Sequence, residues 1–183
     1  MLYIFTFAIP FLLASCASTP GWSTMYNKTC KNQFVDFNCS TTYDNIDSLV
    51  IIEASDIKNC YFQDTSKITW LLFVHIDCKK TVKKETQLYQ QYKNKVNFII
   101  INDDYSLNSV RESIDAISYP IFLIDPKYRN LRTSNTKHFI SELFNPDIGK
   151  RFTSNFLTYQ GKILEMTWEV NKEMLDKAIL SIH

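Results

Sequence analysis

A nearly continuous apolar run, Ile68–Ile76, constrains the fold more than any other stretch of this 183-residue chain. Strands that are buried on both faces have such runs, because helices cover both sides of their sheet. Three further short apolar runs, Ser48–Glu53, Val96–Ile101 and Ile121–Ile124, are predicted to be strands. Together these runs predict a sheet that lies inside the protein rather than at its surface.

Helical patterns separate the predicted strands. Ser55-Asp56 is predicted to cap a helix that extends to about Asp64, and Lys80–Lys93 has the composition of a second helix. Ser106–Ile117 places apolar residues at helical spacing, and Pro120 ends that helix before the next strand. The resulting alternation of strands and helices predicts a three-layer α/β domain with parallel strand pairs.

The C-terminal part has a different pattern. One helix is predicted around Thr136–Leu143, and Asn171–His183 is predicted to be a closing helix that Asn171 caps. Between them, Phe152–Tyr159 and Ile163–Val170 are predicted to form a hairpin, because Gly161 suits the turn that would join them. An antiparallel hairpin and a helix therefore complete the predicted sheet.

The N-terminus looks like an export signal. Leu13-Ala14-Ser15-Cys16 follows the apolar run Leu2–Leu13 and resembles a bacterial lipobox. The run is shorter than the roughly 20 apolar residues that a membrane span needs. The resemblance implies that residues 1–15 are removed and that Cys16 carries acyl chains that bind the lipid bilayer. An ordinary signal peptide that is cut near Ala14 or Ala17, with Cys16 incidental, is the alternative.

The residue after Cys16 is Ala17 rather than Asp. By the sorting rule of such lipoproteins, this implies the outer membrane, with the protein facing the periplasm. Residues 16–46 are polar and lack apolar periodicity, and we interpret them as a tether or irregular arm.

Lipidation of one cysteine would leave four, which permits two disulfides in three connectivities. These four are Cys30, Cys39, Cys60 and Cys78. Cys30 and Cys39 are close in the same polar segment, so this pair is favoured. Cys60 is then interpreted as a small buried apolar residue, as free cysteines often are.

Composition argues against several classes of function. The net charge is +1 and no basic stripe is present, which argues against a nucleic-acid partner. Three glycines in the whole chain cannot build a glycine-rich phosphate loop, and we expect no cofactor. His75, Asp77 and Cys78 are close in sequence, but structural zinc needs four spaced ligands, so we expect no metal site.

From Asp47 to His183 the order of elements resembles thioredoxin. The central strand leads into Asp77-Cys78-Lys79-Lys80-Thr81 at the start of a helix, where thioredoxins have Cys-x-x-Cys. Tyr119-Pro120 precedes a strand, as the cis-proline of that family does. The resemblance implies a thioredoxin-like α/β/α sandwich over residues 47–183, with an insertion at Pro126–Arg151 before the C-terminal hairpin.

The chain departs from the thioredoxin motif at one position, because Thr81 replaces the second cysteine. The resemblance implies that Cys78 is the reactive residue and that Tyr119 and Pro120 shape a substrate groove. A helix N-terminus would lower the pKa of the Cys78 thiol, and the Thr81 hydroxyl would stabilise the thiolate.

Two functions follow from this resemblance. One is thiol–disulfide exchange through a single cysteine by a membrane-anchored lipoprotein of the cell envelope. The alternative is a redox-silent binding or assembly module that docks a partner in an envelope complex.

Overall fold

The computed structural model describes residues 34–41, 49–74, 79–102, 112, 114, 119–125, 132–151 and 153–182. They form one seven-stranded sheet with helices on its two faces. The strands are β1 Phe34–Asp36, β2 Leu49–Ile52, β3 Ile68–Val74, β4 Val96–Asn102, β5 Ile121–Ile124, β6 Asn155–Tyr159 and β7 Lys162–Thr167. The helices are α1 Ala54–Cys60, α2 Lys79–Gln90, α3 Arg132–Leu143, α4 Pro146–Gly149 and α5 Lys172–Leu180.

The strands lie in the order β1-β2-β5-β4-β3-β6-β7. From β1 to β3 in this order, adjacent strands are parallel. Strand β6 is antiparallel to β3, and β7 is antiparallel to β6. Every residue of β2, β3 and β5 is buried, as the continuous apolar runs predicted. The α/β class is therefore confirmed.

Two apolar cores lie on opposite faces of the sheet. On one face, Ile57 of α1 and Phe139 of α3 pack in a buried cluster with Phe73 of β3. On the other face, Val82 of α2 and Leu175 of α5 pack in a second cluster. Because both faces are covered, the molecule has the predicted three layers.

The order of the elements along the chain agrees with the expected order. The parallel unit β3-α2-β4 is followed by the antiparallel hairpin β6-β7 and the closing helix α5. The predicted insertion contains two helices, α3 and α4. Helix α3 was expected around Thr136–Leu143, whereas the sequence pattern did not indicate the short helix α4. Asn145 begins α4 by accepting hydrogen bonds from the backbone N–H groups of Asp147 and Ile148.

Local signals set most element boundaries. Asn171 caps α5, because its side-chain oxygen accepts a hydrogen bond of 2.9 Å from the Met174 N–H. Gly161 has a φ of 76° in the β6–β7 turn, which the absence of a side chain permits. The N-cap of α1 is Glu53, two residues before the expected Ser55, and it forms a capping box with Asp56. The helix ends at Cys60 rather than near Asp64.

Part of the segment that was expected to be an irregular arm belongs to the sheet. Phe34–Asp36 forms the edge strand β1, parallel to β2. Phe37 then packs its ring edge-on against Phe122 of β5, with 5.5 Å between the ring centroids, and also lies against Tyr61. Residues 16–33 and 42–46 of the expected arm lie outside the described residues.

The predicted Cys30–Cys39 disulfide is wrong. Cys39 is bonded to Cys60 at the end of α1, with 5.5 Å between their Cα atoms. Pairing of β1 with β2 brings Cys39 to that helix end, a long-range effect that sequence proximity did not reveal. Cys60 is therefore not a free buried thiol, and Cys30 lies outside the described residues.

No helix within the described ranges is long and apolar enough to cross a membrane.

Candidate functional site

The carboxyl ends of the parallel strands form one edge of the sheet. Val74 and Asn102, the last residues of β3 and β4, are partners in the register of these strands. Four residues, 75–78, separate the end of β3 from Lys79, the first residue of α2. Ligands of open α/β sheets bind outside the carboxyl ends of the strands, so this edge is the candidate functional site.

Several predicted site residues lie outside the described part of the chain. Cys16, His75, Asp77 and Cys78 are among them. Thr81 belongs to α2, but its side chain is not described. Helix α2 is described from Lys79, the residue directly after Cys78 and one residue before the expected start at Lys80.

The start of β6 lies beside the end of β3. The Phe73 N–H donates a hydrogen bond of 2.7 Å to the Ser154 carbonyl. The next residue, Asn155, is fully buried, and its side-chain oxygen accepts a hydrogen bond of 2.8 Å from the Trp70 indole N–H. Two strands are thus joined at the candidate site through both backbone and side-chain bonds.

The same asparagine also connects the end of β7 to this edge. Its amide nitrogen donates to the Ser154 hydroxyl at 2.9 Å and to the Trp168 carbonyl at 3.0 Å. The Ser154 hydroxyl in turn donates to the Trp168 carbonyl at 2.8 Å. These bonds fix the backbone at Trp168, whose side chain is nevertheless 64% exposed. The sequence analysis missed this network; a polar asparagine within the predicted strand Phe152–Tyr159 was the available signal.

Glu85 of α2 is a second residue that the sequence analysis missed. Its exposed fraction is 0%, although it follows Lys83 and Lys84 in what looks like a solvated run. One carboxylate oxygen accepts a hydrogen bond of 3.3 Å from the Val170 N–H, and the other has no hydrogen-bond partner among the described residues. Burial raises the pKa of Glu85 to about 7, because it disfavours the charged form.

The neighbouring charges of Glu85 partly compensate each other. Lys84 forms an ion pair with Glu169, which links α2 to the segment between β7 and α5. The Lys84 ammonium lowers the pKa of Glu85, and the Glu169 carboxylate raises it. Burial remains the largest effect on this pKa, so the Glu85 carboxyl takes up or loses a proton near neutral pH.

The cis peptide bond that was expected before Pro120 is not found. No peptide bond between described residues is cis, so the Tyr119–Pro120 bond is trans. Moreover, β5 pairs with β2 and β4, and β4 separates it from β3. Pro120 therefore does not precede a strand that pairs with β3; the strands that pair with β3 are β4 and β6.

Tyr119 is held by contacts with the core. Its hydroxyl donates a hydrogen bond of 2.8 Å to the Phe98 carbonyl, and its ring lies 5.4 Å from that of Phe98 and 5.6 Å from that of Tyr89. These contacts account for its position without a ligand. Substrate binding by Tyr119 and Pro120 stays a prediction.

Within the described ranges, no three His, Cys, Asp or Glu side chains cluster as a metal site would require.

Comparison with known proteins gives limited similarity. No family model matches the chain, and no curated protein matches it. A solved structure that it resembles is the thioredoxin domain of a thiol–disulfide oxidoreductase from Bacteroides vulgatus, with 13% sequence identity and a TM-score of 0.44. The similarity covers 64% of this chain and 79% of that domain.

Proposed function

We propose that this protein is a lipid-anchored, thioredoxin-like protein of the cell envelope that carries out thiol–disulfide exchange through Cys78. The observation that carries the proposal is the start of α2 at Lys79, directly after Cys78 and at the carboxyl edge of the sheet. A thiol at a helix N-terminus has a lowered pKa, because the helix dipole and unpaired N–H groups favour the thiolate.

The proposed exchange needs one cysteine and a second thiol from solution. The Cys78 thiolate attacks a sulfur of a substrate disulfide, forms a mixed disulfide and releases the other sulfur as a thiolate, which takes a proton from water. A low-molecular-weight thiol then loses its proton and attacks the substrate sulfur of the mixed disulfide. Cys78 leaves as a thiolate, and the substrate keeps a disulfide to the small thiol, so the number of disulfides is conserved.

The alkylation rate of Cys78 as a function of pH tests this proposal. We expect a thiol pKa clearly below the unperturbed value of about 8.5. The measurement uses a Cys30→Ser chain, in which Cys39 and Cys60 are bonded to each other, and Cys78→Ser as the blank. A pKa of about 8.5 or above would contradict a reactive thiol.

The lipid anchor is a separate part of the proposal. It depends on the lipobox-like Leu13–Cys16 segment. Metabolic labelling with a palmitate analogue should label the wild-type chain and not the Cys16→Ala variant. Label that persists in the variant would contradict anchoring through Cys16, while cell fractionation would separately test the outer-membrane location.

A redox-silent binding module is the second candidate function. Two observations favour it: Thr81 replaces the resolving cysteine, and the Tyr119–Pro120 bond is trans. Acid quenching and trapping of mixed disulfides, together with a pull-down under native conditions, separates the candidates. Substrates that are trapped by wild type and lost in Cys78→Ser indicate exchange, whereas a partner that is retained in Cys78→Ser indicates a binding module.

A further inference from the structure

Strand β7 is one of the two edges of the sheet. It pairs with β6 on one side only, so the outward backbone groups of Lys162–Thr167 face no other strand in the described part of the chain. Unpaired N–H and C=O groups along an edge can bind an extended peptide, which adds a strand to the sheet.

A cavity of about 450 Å³ lies between this edge and α5. Leu164, Met174 and Ala178 give it a buried or half-buried apolar lining. Its charged lining consists of the exposed residues Glu165, Glu173 and Lys177. We refer to this cavity and the adjacent edge of β7 as the β7–α5 groove.

The charges of the groove indicate what it would bind. Two carboxylates and one ammonium give the cavity lining a formal charge of −1, and Lys162 adds one positive charge at the start of the adjacent edge. Neither Glu165 nor Glu173 forms an ion pair among the residues that the structure describes. A lysine or arginine side chain is complementary to this lining, because its aliphatic stem covers apolar surface while its charge stays near the carboxylates.

We propose that the β7–α5 groove binds an extended segment of a partner protein that carries lysine or arginine side chains. Backbone pairing with β7 aligns the segment, and alternate side chains point towards α5, because successive strand residues face opposite sides. The proposal goes beyond thiol–disulfide exchange and does not require Cys78.

Titration of the full chain with a synthetic peptide tests this proposal. The probe is acetyl-Thr-Val-Lys-Val-Lys-Val-Thr-amide, and its matched control has Glu in place of both Lys. We expect the Lys peptide to shift the amide NMR signals of β7 and α5, with an affinity at least tenfold above that of the Glu peptide. Equal affinities, or shifts that map elsewhere, would overturn the proposal.

Charge variants sharpen the test. The double variant E165K/E173K should weaken binding of the Lys peptide about tenfold, since two modest electrostatic contacts become repulsive. Asp36→Lys is the matched control, because it reverses an exposed carboxylate on β1, the opposite edge of the sheet, and should leave the affinity unchanged. Equal losses in both variants would indicate a non-specific charge effect and overturn the proposal.

Two further results keep this inference separate from the exchange reaction. Cys78→Ser should bind the peptide as wild type does, whether or not that variant loses thiol chemistry. Concentration-dependent dimerisation through β7 that excludes the Lys peptide would identify a second copy of the chain as the occupant and overturn the proposal.

Discussion

The Glu85 carboxylate accepts a hydrogen bond of 3.3 Å from the backbone N–H of Val170, and this contact links α2 to the residues before α5. The other carboxylate oxygen has no hydrogen-bond partner within the described structure. A buried carboxyl group with one partner is more stable protonated, which is why its pKa is raised to about 7.

We expect this group to make stability depend on pH. Because its folded-state pKa exceeds the unfolded value, its contribution is fully present below about pH 4.5 and is lost as pH rises through about 7. The free energy of unfolding should therefore fall by about 2–3 kcal/mol over this window, at about 1.4 kcal/mol per pH unit. Urea denaturation at pH 5 and pH 8 measures the change.

Glu85→Gln is the control for this pH effect. The variant keeps an oxygen that can accept the Val170 N–H but does not ionise, so it should be close to wild type at pH 5 and more stable at pH 8. A wild-type-minus-variant difference that does not change between these two pH values would contradict burial of an ionisable Glu85.

The Cys39–Cys60 disulfide should stabilise the chain by about 3 kcal/mol. It closes a loop with a sequence separation of 21 residues and restricts the unfolded chain. The double variant Cys39→Ser/Cys60→Ser should lose this amount in denaturant unfolding. Peptide mapping of the oxidised wild type should recover Cys39 and Cys60 in one linked fragment.

Cys30→Ser is the matched control for the disulfide. It should retain the linked Cys39–Cys60 fragment and lose much less stability than the double variant. A linked fragment that contains Cys30 and Cys39 would instead support the pairing that sequence proximity suggested.

Asn155→Ala should destabilise the protein by about 2–3 kcal/mol. The substitution leaves the indole N–H of the fully buried Trp70 without its acceptor and removes the donor to the Trp168 carbonyl. Thermal and urea unfolding measure the loss, and near-ultraviolet circular dichroism reports the environment of Trp70.

Ser154→Ala, which removes a hydroxyl of the same network, should cost about 1 kcal/mol or less. Equal losses would argue against the central role of Asn155.

Gly149→Ala should cost about 1–3 kcal/mol, because it overpacks the contact between α4 and α3. A Cβ atom at position 149 would lie 2.7 Å from the Lys137 carbonyl oxygen and would also meet the Ser141 hydroxyl. Urea unfolding measures the effect, with the exposed neighbour Lys150→Ala as a control that should change stability by less than about 0.5 kcal/mol. Because the Lys137 oxygen belongs to the backbone, adding Ser141→Ala should restore only part of the loss.

Most of the sheet could be predicted from the sequence. The apolar runs located β2, β3, β4 and β5, because a strand that is covered on both faces needs apolar residues throughout. The Asn171 cap and the turn at Gly161 were also predictable, since each depends on the chemistry of a few neighbouring residues. These features are local, so one sequence contains the information that determines them.

Tertiary structure decided which distant residues meet. The three residues of β1 are too short a run to indicate a strand, yet Phe34–Asp36 pairs with β2 and brings Cys39 to Cys60. The sheet order likewise places Pro120 before β5, which does not pair with β3, and Ser154 beside β3, which reverses the expectation for the candidate site. Glu85 is buried because α2 packs against the segment before α5. Strand order and helix packing depend on contacts between residues tens of positions apart, which the local pattern of side chains does not specify.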